Sequence, residues 1–409
     1  MLPFLQFTLA IVIIIAAAKF GGYLSLRLGQ PSVLGELLTG LILGPSVLDF
    51  FHWTIFTDTH LDASILQLGE LGVLLLMFIA GLDLHLSDLA KSGKVSAYAG
   101  TLGVLFPLGM GYLAAVMFDN STIQSLFIGL ILAATSVSIS AQTFIELRVL
   151  RTRVGIGMLG AAVFDDIMVV LGLSIFIALT EENSTGLQAV GIIAVKMIAY
   201  LIIAIFLGIR LFPRLGEWFD SSPISQGLIA FVFVTTLLYA WSAEALGGLA
   251  AITGAFLAGL LFARTPVKET IEKGFSTIAY GVFVPIFFVN VGLSANAREL
   301  SVDGLWFLLA LTLVAIVSKI LGAGLGARLS GFTNMEALQL GVGMMSRGEV
   351  GLIVASVGIT EGLITREIFS SIIGVVIITT LLTPPILRTL FAKPTTPAGS
   401  RREETEQSA

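Results

Sequence analysis

The sequence predicts an all-α polytopic membrane protein of about 13 transmembrane helices, and three observations carry that prediction. Residues are 56% hydrophobic and only 12% charged, against roughly 25% charged in soluble domains; the mean hydropathy is +0.99. Apolar runs of about 20 residues recur from end to end, each long enough to cross a hydrocarbon core of about 30 Å. The loops between them alternate in charge from one side of the membrane to the other.

Spans are predicted at 3–27, 31–50, 64–84, 95–118, 122–146, 153–180, 187–212, 224–243, 247–264, 275–294, 303–329, 335–360 and 366–391. Loops on one side hold Arg27; Lys91 and Lys94; Arg148, Arg151 and Arg153; Arg210 and Arg214; Arg264, Lys268 and Lys273; Arg328; and Arg388, Lys393, Arg401 and Arg402. Loops on the other side hold Arg298 and Arg366 beside Asp49, Asp58, Asp62, Asp119, Glu181 and Glu182. The positive-inside rule then puts the N-terminus outside and the C-terminus in the cytoplasm of a multi-pass cell-membrane protein. A single miscounted span would scramble this alternation. No basic, Ser-rich presequence precedes the first span, so that span is read as retained. Residues 1–392 form the transmembrane unit, and the polar stretch 393–409 reads as a disordered cytoplasmic tail.

Several function classes drop out. With no cysteine there is neither a disulfide nor a thiolate metal site. His52, His60 and His85 fall near segment ends without ligand spacing. A net charge of −5 spread over many loops gives no nucleic-acid footprint, and no cofactor motif is expected. GAGLGA at 322–327 lies inside an apolar helix with no preceding strand, so it reads as a helix-packing surface, not a nucleotide loop.

The chain also repeats itself weakly. VLGELLTGLIL (33–43) resembles ITGAFLAGLLF (252–262), matching Gly35 and Gly40 to Gly254 and Gly259. FIAGL (78–82) resembles VNVGL (289–293), matching Gly81 to Gly292 at an offset of 211. The same offset carries Thr135 and Ser136 onto Ser346 and Arg347. The matched spans lie seven apart in the 13-span count, and an odd separation inserts the second copy upside down. Inverted repeats with a site near the bilayer midplane are typical of secondary transporters.

Polar residues inside spans are the candidates for chemistry. Asp165 and Asp166 sit in VGIGMLGAAVFDDIMVVLGLSIFIAL (154–179), where one charge costs about 2.5–3.5 kcal/mol even on a lenient insertion scale. Neighbouring carboxylates repel as well. Successive helical residues point about 100° apart, so one carboxylate can face a cavity and the other a neighbouring helix. Burial and a nearby cation act oppositely on a carboxyl group's proton, which suits a group that trades a proton for a monovalent metal ion. Two adjacent aspartates on one helix cannot flank a single substrate bond, which sets aside an intramembrane aspartyl protease. Lys319 lies midway along its span, too deep to snorkel easily. Its natural partner is Asp165 or Asp166, either as a static salt bridge or as a second proton carrier.

ATSVSISAQT (134–143) and GVGMMSRGEVGLIVASVG (341–358) read as discontinuous helices. The first offers Thr135 and Ser136 as hydroxyls for a hard cation. The second sets Arg347 and Glu349 among glycines, with Glu36 or Glu70 as an alternative partner for Arg347. Lys196 sits ten residues inside its span, with a dimer surface or a lipid headgroup as its possible neighbours.

LAATSVSISAQ (132–142), GAAVFDDIMVVLGL (160–173), VSKILGAGLGA (317–327) and MMSRGEVGLIVASVG (344–358) follow one another in a familiar order. With QPSVLGELLTGLILGP (30–45) and LGELGVLLLMFIAGLDL (68–84), they resemble the second monovalent cation:proton antiporter family, most of all bacterial sodium/proton antiporters of the NapA type. The likeness runs to about residue 390. It implies a homodimer working in pH homeostasis, with core helices around 64–180 and 275–360 and dimerisation helices around 3–50 and 187–264. The implied cargo is Na+ or Li+ against protons, with K+ as the alternative cation or a K+ efflux subunit regulated by a soluble partner as the alternative role. The resemblance further implies that Asp166 is the ion-binding carboxylate, that Asp165 pairs with Lys319, and that Thr135 and Ser136 line the first crossing.

Overall fold

A computed structural model of the chain describes residues 2–84, 92–180, 186–293, 302–360 and 362–392. In chain order the helices are α1 (Pro3–Arg27), α2 (Ser32–Leu43), α3 (Leu61–Leu82), α4 (Gly93–Met117), α5 (Thr122–Ala133), α6 (Val137–Glu146), α7 (Arg153–Thr180) and α8 (Gly186–Ser221). They continue with α9 (Gly227–Ser242), α10 (Ala251–Phe262), α11 (Lys268–Ile278), α12 (Val284–Leu293), α13 (Val302–Leu329), α14 (Asn334–Gly343), α15 (Glu349–Thr360) and α16 (Arg366–Phe391). Single π turns extend α9 and join α11 to α12. The predicted tail, 393–409, lies outside the described residues.

Each of the 13 predicted segments holds helix. Among the described residues ten stretches are long and apolar enough to cross a membrane, counting α5 with α6 and α11 with α12 as one each, and three more apolar helices are shorter. The expected span 31–50 shrinks to α2 because Gly44 closes the helix just before Pro45, where helical backbone is disfavoured. The expected end at 212 moves out to Ser221 because the polar stretch after Pro213 keeps its helical turn.

Two sets of helices pack through different surfaces. In the first, α4 lies against α5, α7 and α13, and α13 lies against α14 and α16. Glycines make that seam close: a Cβ on Gly322 would strike the Leu102 carbonyl, and one on Gly326 the Tyr98 carbonyl. In the second set, α2 packs on α1 and α12, α3 on α10 and α12, and α9 on α10. Helix α8 runs between the sets, touching α7 on one side and α9 and α10 on the other. The expected core, 64–180 and 275–360, therefore differs from the packing at its edges. Helices α3 and α12 belong to the second set because Gly81 and Gly292 seat them against α10 and α2, while α16 belongs to the first.

The repeat is visible in these contacts. Gly40 abuts Val289 and Gly292, and Gly259 abuts Phe78 and Leu82. Gly292 abuts Leu37, Gly40 and Leu41, and Gly81 abuts Phe256 and Leu260. Exchanging the two copies turns each contact into the other, as a two-fold relation requires. Helices α5 and α14 even begin alike, each with a capping box: Ser121 with Gln124, and Thr333 with Glu336.

Helix α6 packs on α7 and α16 of the first set, and a polar clasp ties it to the second. Pro31 precedes α2 and offers it no side-chain cap. The Glu146 carboxylate at the end of α6 supplies one, accepting from Ser32 N–H at 2.6 Å, Ser32 Oγ at 2.6 Å and Val33 N–H at 3.3 Å. The Gln142 amide braces the same carboxylate at 2.8 Å. A negative charge at a helix N-terminus is favourable for the free N–H groups and the helix dipole alike.

Candidate functional site

Both discontinuous helices of the sequence reading are broken in the structure. Ala134 to Ser136 separate α5 from α6 in extended backbone. Met344 to Gly348 separate α14 from α15. Hydroxyl-rich Thr-Ser-Val-Ser and Ser-Arg-Gly sequences favour such breaks because their side chains compete with helical hydrogen bonds. The two breaks cross and hold each other. Ser136 N–H donates to the Ser346 carbonyl at 2.8 Å, and Ser346 Oγ donates to the Ser136 carbonyl at 3.0 Å. Ser140 Oγ also donates to the Gly343 carbonyl. Gly348 permits the approach, since a Cβ there would run into the Ser136 side chain. The partner of Ser136 is thus Ser346, the residue that the constant offset makes equivalent to Thr135.

Lys319 of α13 reaches the first break. Its Nζ lies 2.9 Å from both oxygens of Asp165 on α7, and it donates to the carbonyls of Ala133 at 2.8 Å and Gly103 at 2.6 Å. Thr135 Oγ1 donates to the same Asp165 carboxylate. Asp165 and Lys319 are both 0% exposed, so each charge depends on the other, and removing one partner of such a pair typically costs about 3–5 kcal/mol. Ala133 is the last residue of α5, where unpaired carbonyls gather negative partial charge, so the ammonium also neutralises a helix end. Asp166 is 3% exposed, one helical step round from Asp165.

Arg347, 1% exposed, serves the second break in the same manner. Its guanidinium donates to the Met344 carbonyl at 3.3 Å, just past the end of α14, and to Ala315 on α13 at 2.9 Å. Its backbone is held by α16. Arg347 N–H donates to Thr379 Oγ1 at 3.1 Å, and Thr380 Oγ1 donates to the Arg347 carbonyl at 2.8 Å.

The predicted charges therefore separate. Asp165, Asp166, Lys319, Thr135, Ser136 and Arg347 gather at the crossing. Glu36 does not reach Arg347; it pairs with Lys19 of α1 at 3.6 Å. Glu70 is exposed and lines a surface cleft with Asp58 and Phe4 between α3 and α1. The side chain of Glu349 lies outside the described residues. Lys196 is exposed on α8, beside the exposed Ile192 and Val195. Sequence reasoning missed Thr379 and Thr380, whose only signal was a hydroxyl pair inside IIGVVIITTLLTPP, and Glu146, which looked like an ordinary charge at a helix end. Chemically, the crossing offers carboxylate, hydroxyl and backbone oxygens to a hard cation, and carboxylates that can take up protons.

The chain resembles known membrane antiporters. Residues 12–393 match the family model described as sodium/hydrogen exchanger, transmembrane. The Na(+)/H(+)-K(+) antiporter GerN of Bacillus cereus is 37% identical, over 94% of this chain and 96% of its own length. A Na(+)/H(+) antiporter of Enterococcus hirae is 36% identical, over 94% and 98%. The solved sodium proton antiporter MjNhaP1 of Methanocaldococcus jannaschii superposes with a TM-score of 0.68, covering 95% of this chain and 99% of its own, at 18% identity. At that identity the likeness speaks for the fold alone.

Proposed function

Because the chain belongs to the sodium/hydrogen exchanger family, a family of membrane antiporters and not of enzymes, we propose that it exchanges Na+ or Li+ for protons by alternating access. In this reading Asp166 binds either a proton or one dehydrated cation, never both. Thr135 and Ser136 present oxygens beside it, and the Asp165–Lys319 bridge opens when the cation arrives. The carrying observation is the fully buried Asp165–Lys319–Thr135 set at the crossing of two half-helices. Two half-helices that can shift against the second set supply the moving part. If Lys319 releases a proton as its partner engages the cation, two protons cross for one cation and the cycle moves net charge. We further read the protein as a homodimer of the cell membrane, contributing to pH homeostasis, with its C-terminus in the cytoplasm and lipid around the exposed faces of α1 and α8.

GerN carries K+ in its name as well as Na+, so potassium is the competing cargo. The test is a reconstituted vesicle loaded with a pH gradient and read by dequenching of an acid-trapped dye. Addition of NaCl or LiCl is expected to collapse the gradient at far lower concentration than KCl, and Asp166→Asn is expected to give no collapse. A wild type that responds to none of the three salts, or an Asp166→Asn variant that matches it, overturns the proposal. A wild type that prefers KCl overturns the choice of cation.

A further inference from the structure

We propose that Thr379 and Thr380 are positioning residues for the exchange site: they fix the second break in the register that shapes the first. The inference rests on the ion-exchange reading above. The N–H groups of Met344 and Met345 still bond back into α14, but the backbone of Ser346 and Arg347 has left the helical ladder and is buried, so its groups need other partners. Arg347 contributes one donor and one acceptor, and both go to α16.

Threonines inside helices usually bond back to their own preceding turn. Thr383 does so, donating to the Thr379 carbonyl at 2.7 Å. Thr379 does so as well, donating to Val375 at 2.9 Å, while accepting from Arg347 N–H. Thr380 turns its hydroxyl out of its helix to the Arg347 carbonyl. Both are sealed from solvent, at 0% and 1% exposure, so no water substitutes for them.

From Arg347 the constraint passes along covalent neighbours and two hydrogen-bonded contacts. Ser346, next in the chain, exchanges two hydrogen bonds with Ser136. Thr135, adjoining Ser136, donates to Asp165. Thr379 and Thr380 thus set the place of the hydroxyl that faces the carboxylate without touching it. Losing them should loosen cation binding more than turnover.

The experiment measures the half-saturating Na+ concentration for gradient collapse in vesicles carrying wild type, T379V/T380V or T379S/T380S. The valine pair keeps shape and removes both hydroxyls; the serine pair restores them. Thr236→Val, which removes only a bond within α9, controls for general damage. We expect about a tenfold rise for the valine pair, the scale of one buried hydrogen bond. The serine pair and Thr236→Val should stay within about twofold of wild type, on the same scale. An unchanged half-saturation in the valine pair, or an equal rise in the serine pair, overturns the proposal. Should the valine pair not be recovered folded, T380V alone is read against the same two outcomes, with about a threefold rise expected from a single weakened bond. Absence of exchange in the wild type would sink the ion-exchange reading itself, a result separate from any of these.

Discussion

At the end of α5, Lys319 donates to Ala133 and to Gly103 of α4; at the end of α14, Arg347 donates to Met344 and to Ala315 of α13. Ala133 and Met344 lie 211 positions apart, and Gly103 and Ala315 lie 212 apart, so two-fold-related carbonyls receive a cation in both copies. The cations themselves come from unrelated positions, one from α13 and one from the break. Beyond them the copies part. Asp165 and Asp166 of α7 stand at the first break, and at similar depth in α16 Thr379 and Thr380 stand at the second. A buried break therefore needs a side-chain donor for its carbonyl end and partners for its freed backbone, and hydroxyls suffice for the latter. The carboxylates of the first copy exceed what the architecture requires, which is the physical reason to assign them the exchange.

The strongest way to break this comparison is to replace the charges of the first copy, as a unit, with neutral polar groups. A variant with Asp165→Thr, Asp166→Thr and Lys319→Gln removes the surplus charges together and leaves polar groups in their place. It is expected to elute as folded protein with a melting temperature within about 5 °C of wild type, a shift on the scale of about 1 kcal/mol or more, while gradient collapse falls to the level of empty vesicles. Failure of this variant to fold would mean that the carboxylates are structural after all. Buried ion pairs replaced as a unit by neutral groups are often tolerated, whereas half-pairs are not.

That contrast sets the next prediction. Asp165→Asn alone strands the Lys319 ammonium on two carbonyls and Asp166, and should destabilise the protein by about 3 kcal/mol. Adding Lys319→Gln should recover more than half of that loss, since the pair is in direct contact. Lys319→Gln by itself also probes the cycle. If the lysine is the second proton carrier, exchange in this variant should no longer respond to an imposed membrane potential. Full voltage response without Lys319 would leave the lysine a static partner and place the second proton elsewhere.

Much of the site was legible because charge inside an apolar span has few innocent explanations. Asp165, Asp166 and Lys319 stood out on hydropathy alone, and the breaks announced themselves through Thr-Ser-Val-Ser and Ser-Arg-Gly. The inverted repeat was readable from glycines because close helix approach leaves few residues to choose from. Thr379 and Thr380 were not legible, because a threonine in an apolar helix ordinarily bonds to its own turn and leaves no trace of an outward bond. Arg347 was expected to seek a carboxylate, yet its described hydrogen bonds go to carbonyls, which every sequence provides and none advertises. The division of helices into two sets was misjudged at α3 and α12 for a similar reason: partner choice between apolar helices rests on shape.

The smallest contrast between the copies lies at the short helices, α2 and α10. Glu146 caps α2 from across the boundary between the helix sets, while α10 is preceded by Ala250, which offers no side-chain cap. Glu146→Ala should lower thermal stability by about 1 kcal/mol, the usual loss for a helix cap. Ala250→Ser should raise it by a few tenths to about 1 kcal/mol, because Ala250 already has the extended backbone of a capping residue. The two changes act on opposite copies, far apart, so their effects should add within about 0.5 kcal/mol in the double variant. The cap on α2 also has a kinetic consequence that the one on α10 would lack. Under the proposed alternating access α6 moves with the half-helices, and the bonds of Glu146 to Ser32 would then break in each cycle. Glu146→Ala should therefore raise the maximal exchange rate or leave it unchanged while stability falls, and a lower rate at equal protein density would show that the clasp assists the motion instead of resisting it.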